Sequence, residues 1–253
     1  VVWETVWPIE LLIVAAELFF VVYEVRLLFR FIRRYRQTKL LEPDTGEALR
    51  VAIKKEFGDS KLAAFFLHDL SMMYYSLFSW RRKPEAARAG ETWFSYDRTI
   101  SPYLYAGIAT HILVFEGVVV HLLVQQWSHW AAWILTAADI WLLALIWADC
   151  RASILRPVRL DAGMLRIRCG LRLQADVPLD AIAGIASARE YRPDAADLKR
   201  FAGPIVGTPN VRLELNRPVT VDTLLFMPRQ VTGLYLVLDE PQTFVREIER
   251  LLK

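Results

Sequence analysis

The chain has 253 residues, 55% of them hydrophobic, and a formal net charge of only +3. With a mean hydropathy of +0.26 it is too apolar to be an ordinary soluble domain throughout, since such domains are a little under half apolar. Its two cysteines, Cys150 and Cys169, form neither a metal-binding spacing nor a disulfide framework, and read as free thiols in a reducing compartment.

The apolar residues crowd into residues 5–32, 62–80 and 102–148, and the Trp and Tyr residues concentrate in or beside these stretches, as side chains anchoring at a membrane interface do. The first ten residues carry Glu4 and Glu10 but no Lys or Arg, which does not read as a cleaved signal peptide. Residues 8–29 are long enough to cross a hydrocarbon core of roughly 30 Å. Arg26, Arg30, Arg33, Arg34, Arg36 and Lys39 follow, so this end of the span is expected in the cytoplasm and the N-terminus outside.

Residues 62–80 could nominally span, but they contain His68 and Asp69, with basic residues on both flanks: Lys54, Lys55 and Lys61 before, Arg81, Arg82 and Lys83 after. Spanning would push one basic flank outside, so an interfacial or re-entrant helix is expected. A fourth span, or a helix covered by a partner protein, are the alternatives. His68 and Asp69 read as an interfacial polar pair rather than a catalytic dyad.

Residues 103–125 and 130–148 are predicted as a hairpin of two spans, separated only by Gln126, Trp127, Ser128 and His129. Arg151, Arg156 and Arg159 return the chain to the cytoplasmic side. The expected organisation is thus a first span with its basic flank (1–36), a cytoplasmic or interfacial helical segment (37–98), a membrane hairpin (99–150) and a C-terminal domain (151–253).

Each predicted span holds a carboxylate near mid-depth: Glu17, Glu116 and Asp139. A central charge costs about 2.5–3.5 kcal/mol on insertion scales, so these acids need partners, protons or a cation. Glu10, Glu17 and Glu24 recur at heptad spacing and form an acidic stripe on one helix face. His111, Glu116 and His121 are five apart, a turn of about 140° per step, so one helix cannot bring all three to one ion. Structural hydrogen bonding is the first reading of Glu17, Glu116, Asp139, His111 and His121. A proton or cation site comes second and a catalytic metal centre third. No cofactor is predicted, although a bound metal ion is possible.

Beyond residue 159 the periodicity becomes that of strands. Residues 164–169 and 171–177 read as a hairpin turning at Gly170, with further strands at 211–215, 219–225 and 233–238. Pro241 opens a final helix whose apolar stripe is Phe244, Val245, Ile248, Leu251 and Leu252. The run LDAGMLRIRCGLRLQADVPLDAIAGI, the strand series and DEPQTFVREIERLL resemble the bacterial pleckstrin-homology-like (PH-like) domains that follow a membrane hairpin; Val177, Pro178, Leu179, Asp180, Ala181 and Ile182 are the sharpest part. The resemblance covers residues 157–253, with 187–208 longer than a compact version. It implies a strongly bent antiparallel sheet capped by a C-terminal helix, in a bacterial inner-membrane protein, and no particular activity.

Arg166, Arg168 and Arg172 could form a basic patch for lipid head groups, the plainer reading being solvated strand residues. There is no phosphate loop, nucleophile elbow or zinc-protease motif. Nucleic-acid binding lacks support, because membrane orientation already accounts for the basic clusters. The expected function is a non-enzymatic regulatory, scaffolding or assembly role. The expected partners are the bilayer and either further copies of the chain or another membrane protein. An oligomeric ion- or proton-coupled transport factor, or a membrane metalloenzyme acting on a lipid, are the alternatives.

Overall fold

The computed structural model describes residues 26, 30, 32–38, 45–57, 60–83, 90–161 and 163–252. The predicted first span, with Glu10, Glu17 and Glu24, lies outside the described residues. The chain divides into two compact units, Val1–Leu67 and His68–Lys253. In the first, residues 32–38 are helical and helix α1 (Thr45–Phe57) buries one face through Ala48, Leu49, Ala52 and Ile53, spaced as a helix requires. Glu47 in its first turn suits the positive end of the helix dipole.

Helix α2 (Lys61–Met73) runs across the division and continues as a short π-helix, Tyr74–Phe78. Its sidedness is inverted relative to a water-exposed helix. Leu67, His68, Ser71, Met72, Tyr75 and Ser79 are buried, whereas Phe65, Phe66, Met73, Leu77 and Phe78 are exposed.

Two helices follow that are long and apolar enough to cross a membrane, α3 (Pro102–Val124) and α4 (His129–Leu155). Pro102 sits in the first turn of α3, where a missing N–H costs nothing, and the Ser128 hydroxyl caps α4 by accepting from the Ala131 amide at 3.3 Å. None of the most apolar stretch of α3 is buried, and 11% of that of α4 is. Phe115 and Trp130 stand 75% and 80% exposed, so the large apolar side chains point outward. Helix α4 runs past the predicted end at residue 148. Arg151 and Arg156, read from the sequence only as a basic flank on the cytoplasmic side, are buried.

The remaining elements make a mixed sheet of eight strands: β1 (Thr92–Phe94), β2 (Val158–Asp161), β3 (Met164–Cys169), β4 (Leu173–Pro178), β5 (Ile182–Ser187), β6 (Phe201–Ala202), β7 (Val211–Asp222) and β8 (Pro228–Leu236). The order is β1-β2-β3-β4-β7-β8-β6, with β5 also on β7, and only the β6–β8 pair is parallel. The first strand comes from the stretch expected to be helical.

Strand β7 takes in what the sequence suggested were two strands. Its register against β8 shifts between Glu214 and Val219, where Pro218 sits; a bulge is where a strand tolerates proline. Before the bulge β7 pairs with β5, and after it with β4, so the sheet bends there. Helix α5 (Pro241–Leu252) covers the core with Phe244 and Ile248, and the Phe244 ring meets Phe94 edge-on at 4.8 Å. Leu251 and Leu252, expected in its buried stripe, are exposed.

Candidate functional site

The hairpin's polar side chains divide between two environments. Where α3 and α4 face each other, Gly117 leaves room for Asp139; a Cβ on Gly117 would lie 3.0 Å from the Asp139 Oδ2. About one turn along α3, His121 Nδ1 is 2.7 Å from Thr136 Oγ1, and the His121 ring meets Trp133 edge-on. Asp139, His121 and Thr136 share a groove of about 370 Å³ with Leu113, Val118, Leu143 and other apolar neighbours. Glu116 and His111 do not line it: both are exposed, and His111 Nδ1 is 2.8 Å from the Gly107 carbonyl, its own preceding turn. The five candidates therefore do not converge. Glu17 lies outside the described residues, two line the groove and two face away. Among the described residues no three metal-ligating side chains come together.

A second polar cluster lies where α4 enters the β domain, and sequence reasoning missed it. Asp149 accepts from the Leu171 amide at 2.9 Å and pairs with Arg172, whose Nε lies 3.0 Å from Oδ2. Gly170, between β3 and β4, has φ +60°, and a Cβ there would collide with the Asp149 carboxylate. Glycine is required twice over, by backbone conformation and by space. Tyr96 completes the joint from the chain preceding α3. Its buried hydroxyl donates to the Arg168 carbonyl and accepts from the Gly170 amide, both at 2.9 Å. Burial raises its pKa and keeps it a neutral donor. On the same helix Arg151 donates to the Ser79 and Arg82 carbonyls and the Tyr103 hydroxyl. It thereby ties the end of the 61–78 helical segment to α4. The available sequence signal was a carboxylate directly after an apolar run, but its partners lie more than twenty residues away.

The three arginines considered for lipid head groups do not form a common patch. Arg166 pairs with Asp161 at 3.1 Å, Arg168 with Asp176 at 2.7 Å and Arg172 with Asp149. Arg168 is 4% exposed, and its Nη1 donates to the Ile167 and Ala175 carbonyls. A phosphate would have to displace a carboxylate from each.

His68 and Asp69, successive positions on α2, point about 100° apart. His68 is 1% exposed and meets the Phe226 ring edge-on at 5.4 Å, and neither ring nitrogen has a partner among the described residues. Burial pushes its pKa below the usual value, with Asp69 opposing the shift. Phe226 reaches it from a turn in which Leu225 and Phe226 both have positive φ, 59° and 54°.

Comparison with protein-family models, curated proteins and solved structures returned no match. The functional reading rests on the chain's own chemistry.

Proposed function

We propose that this chain is a non-enzymatic membrane adaptor of the bacterial inner membrane, in which the α3–α4 hairpin spans the bilayer and carries a PH-like domain at its cytoplasmic end. The observation that carries the reading is the Asp149 joint. A helix apolar on its outer surface runs without a break into a buried carboxylate that binds the β3–β4 turn, so hairpin and domain move as one body. A joint of this kind suits scaffolding or regulation, where the position of the domain against the membrane is the output. The bent sheet closed by α5 supports the PH-like assignment. The inverted sidedness of α2 and the π-helix supports an interfacial segment, its aromatic face in the lipid and its polar face on the protein. The Arg and Lys clusters support the orientation.

The test is labelling by a membrane-impermeant maleimide in intact cells, at Gln126→Cys in the hairpin turn, Lys83→Cys after the π-helix and Arg192→Cys in the β domain. Only the turn is expected to label from outside. External labelling at position 83 would mean that residues 62–80 span, and external labelling at 192 would invert the whole arrangement.

A further inference from the structure

We infer that the groove between α3 and α4 receives a membrane-spanning helix of another protein that carries a Lys or Arg near its midpoint, and that Asp139 selects it. Asp139 lies ten residues into α4, about 15 Å along its axis, which is mid-depth in a core of about 30 Å. Among the described residues its carboxylate makes no hydrogen bond or ion pair. It is half-buried against the small wall of Gly117 and borders the groove rather than being sealed between the helices. His121 and Thr136, the other polar groove residues, already satisfy each other. The remaining wall, including Leu113, Val118 and Leu143, is the surface on which an apolar helix packs.

Charge decides the occupant. A carboxylate at this depth is stabilised by a cation delivered to the same depth. An acyl chain fills the groove but brings no charge there. A second copy brings Asp139 and Glu116 again, which adds acid to acid. The chain's own residues 8–29 offer Glu10, Glu17 and Glu24, with their first basic residue, Arg26, only near the end. What fits is a foreign span with a central basic residue, its Lys or Arg turned to Asp139 and its apolar flank on the groove wall.

This inference rests on the bilayer-spanning reading, and the experiment separates the two. The full chain, donor-labelled, is reconstituted in vesicles of phosphatidylcholine and phosphatidylglycerol, and alkaline extraction first shows whether it is inserted. Energy transfer is then measured to an acceptor-labelled synthetic span of about 23 Leu and Ala residues bearing a central Lys, and to the same peptide with Leu there. The Lys peptide is expected to bind about tenfold more tightly or better. Asp139→Asn should abolish the preference while leaving insertion unchanged, and Glu116→Gln should preserve it because Glu116 faces away. Val118→Trp, which fills the groove, should weaken both peptides. Failure of insertion would overturn the spanning reading. Insertion with equal binding of the two peptides, or a preference that survives Asp139→Asn, would overturn this inference alone.

Discussion

The hairpin and the β domain solve the same problem in opposite directions. In the domain, Leu165, Ile167, Val177, Leu213 and Phe244 are fully removed from solvent, and a buried charge such as Arg168 is held by an ion pair. In the hairpin, Phe115, Ile134, Trp130 and Leu122 face outward, while His121 and Thr136 turn toward each other. Large apolar side chains are buried in the domain and exposed on the hairpin, where Glu116 and His111 are exposed among them. The difference teaches that the hairpin leaves exposed the kind of apolar surface that the domain buries. It also shows that α4, common to both regions, must change its logic part-way along, and it does so at Asp149.

The largest expected effect lies in the domain core. Leu213→Ala leaves a cavity beneath a fully buried leucine and should cost about 2–5 kcal/mol, whereas Phe115→Ala on the hairpin should leave the domain's melting temperature unchanged. Thermal melts in detergent compare the two. Similar losses from both would mean that the hairpin's outer face is packed on protein after all.

Next comes the joint. Asp149→Ala strands the Leu171 amide without its acceptor and should cost about 1–3 kcal/mol. It should also separate one cooperative transition into two, one for the hairpin and one for the domain. A single unshifted melt would show that the two regions are coupled elsewhere.

A smaller effect concerns His68. Its folded pKa is lowered, so above the unfolded value near 6.5 the ring is neutral in both states and its neutral burial counts in full. As pH falls below that value, the unfolded chain takes up a proton that the folded chain resists, and stability declines, by at most about 1.4 kcal/mol per pH unit, until the lowered folded pKa is reached. Stability against denaturant measured between pH 7 and 5 should show this loss in the parent and not in His68→Leu. Equal slopes would remove His68 from the account.

The smallest expected effect is none. Burial pushes the Cys169 thiol up to about 12, with Arg172 opposing, Asp149 adding and Arg168 opposing, and Cys150 is buried. Neither should alkylate at pH 8 until denaturant is added, because the thiolate is the reactive form. Rapid native labelling of Cys169 would mean that the β3–β4 turn opens.

Local pattern was legible in the sequence, and distant pairing was not. The hairpin, the β3–β4 turn at Gly170 and the final helix were readable because each is written within a short stretch of alternating or helical apolar residues. Strand β1 was not, because Thr92, Trp93 and Phe94 are too few to show a period and exist as a strand only through pairing with β2. Asn216, Arg217 and Pro218 look like a turn, yet they lie within β7, held as a bulge by pairing on both sides. Leu251 and Leu252 continue the apolar pattern of the final helix but are exposed, and a helical pattern alone does not say where its packing partner stops. Among the candidate site residues, helix phase put His111, Glu116 and His121 in three different directions, and of the three only His121 lines the groove. No local signal could assign Asp149 to Leu171 and Arg172, or bury Arg168 beneath its own ion pair.

The unbroken run of α4 gives the molecule a drive shaft. From His129 at the hairpin turn to Asp149 there are twenty residues, about 30 Å of continuous helix. A helix resists twisting because every turn is hydrogen-bonded to the next. The Gly170 turn is keyed to the Asp149 end with no side chain to cushion it. Were an occupant of the groove to turn the hairpin, that rotation would reach the β3–β4 turn through the Asp149 carboxylate, its spline.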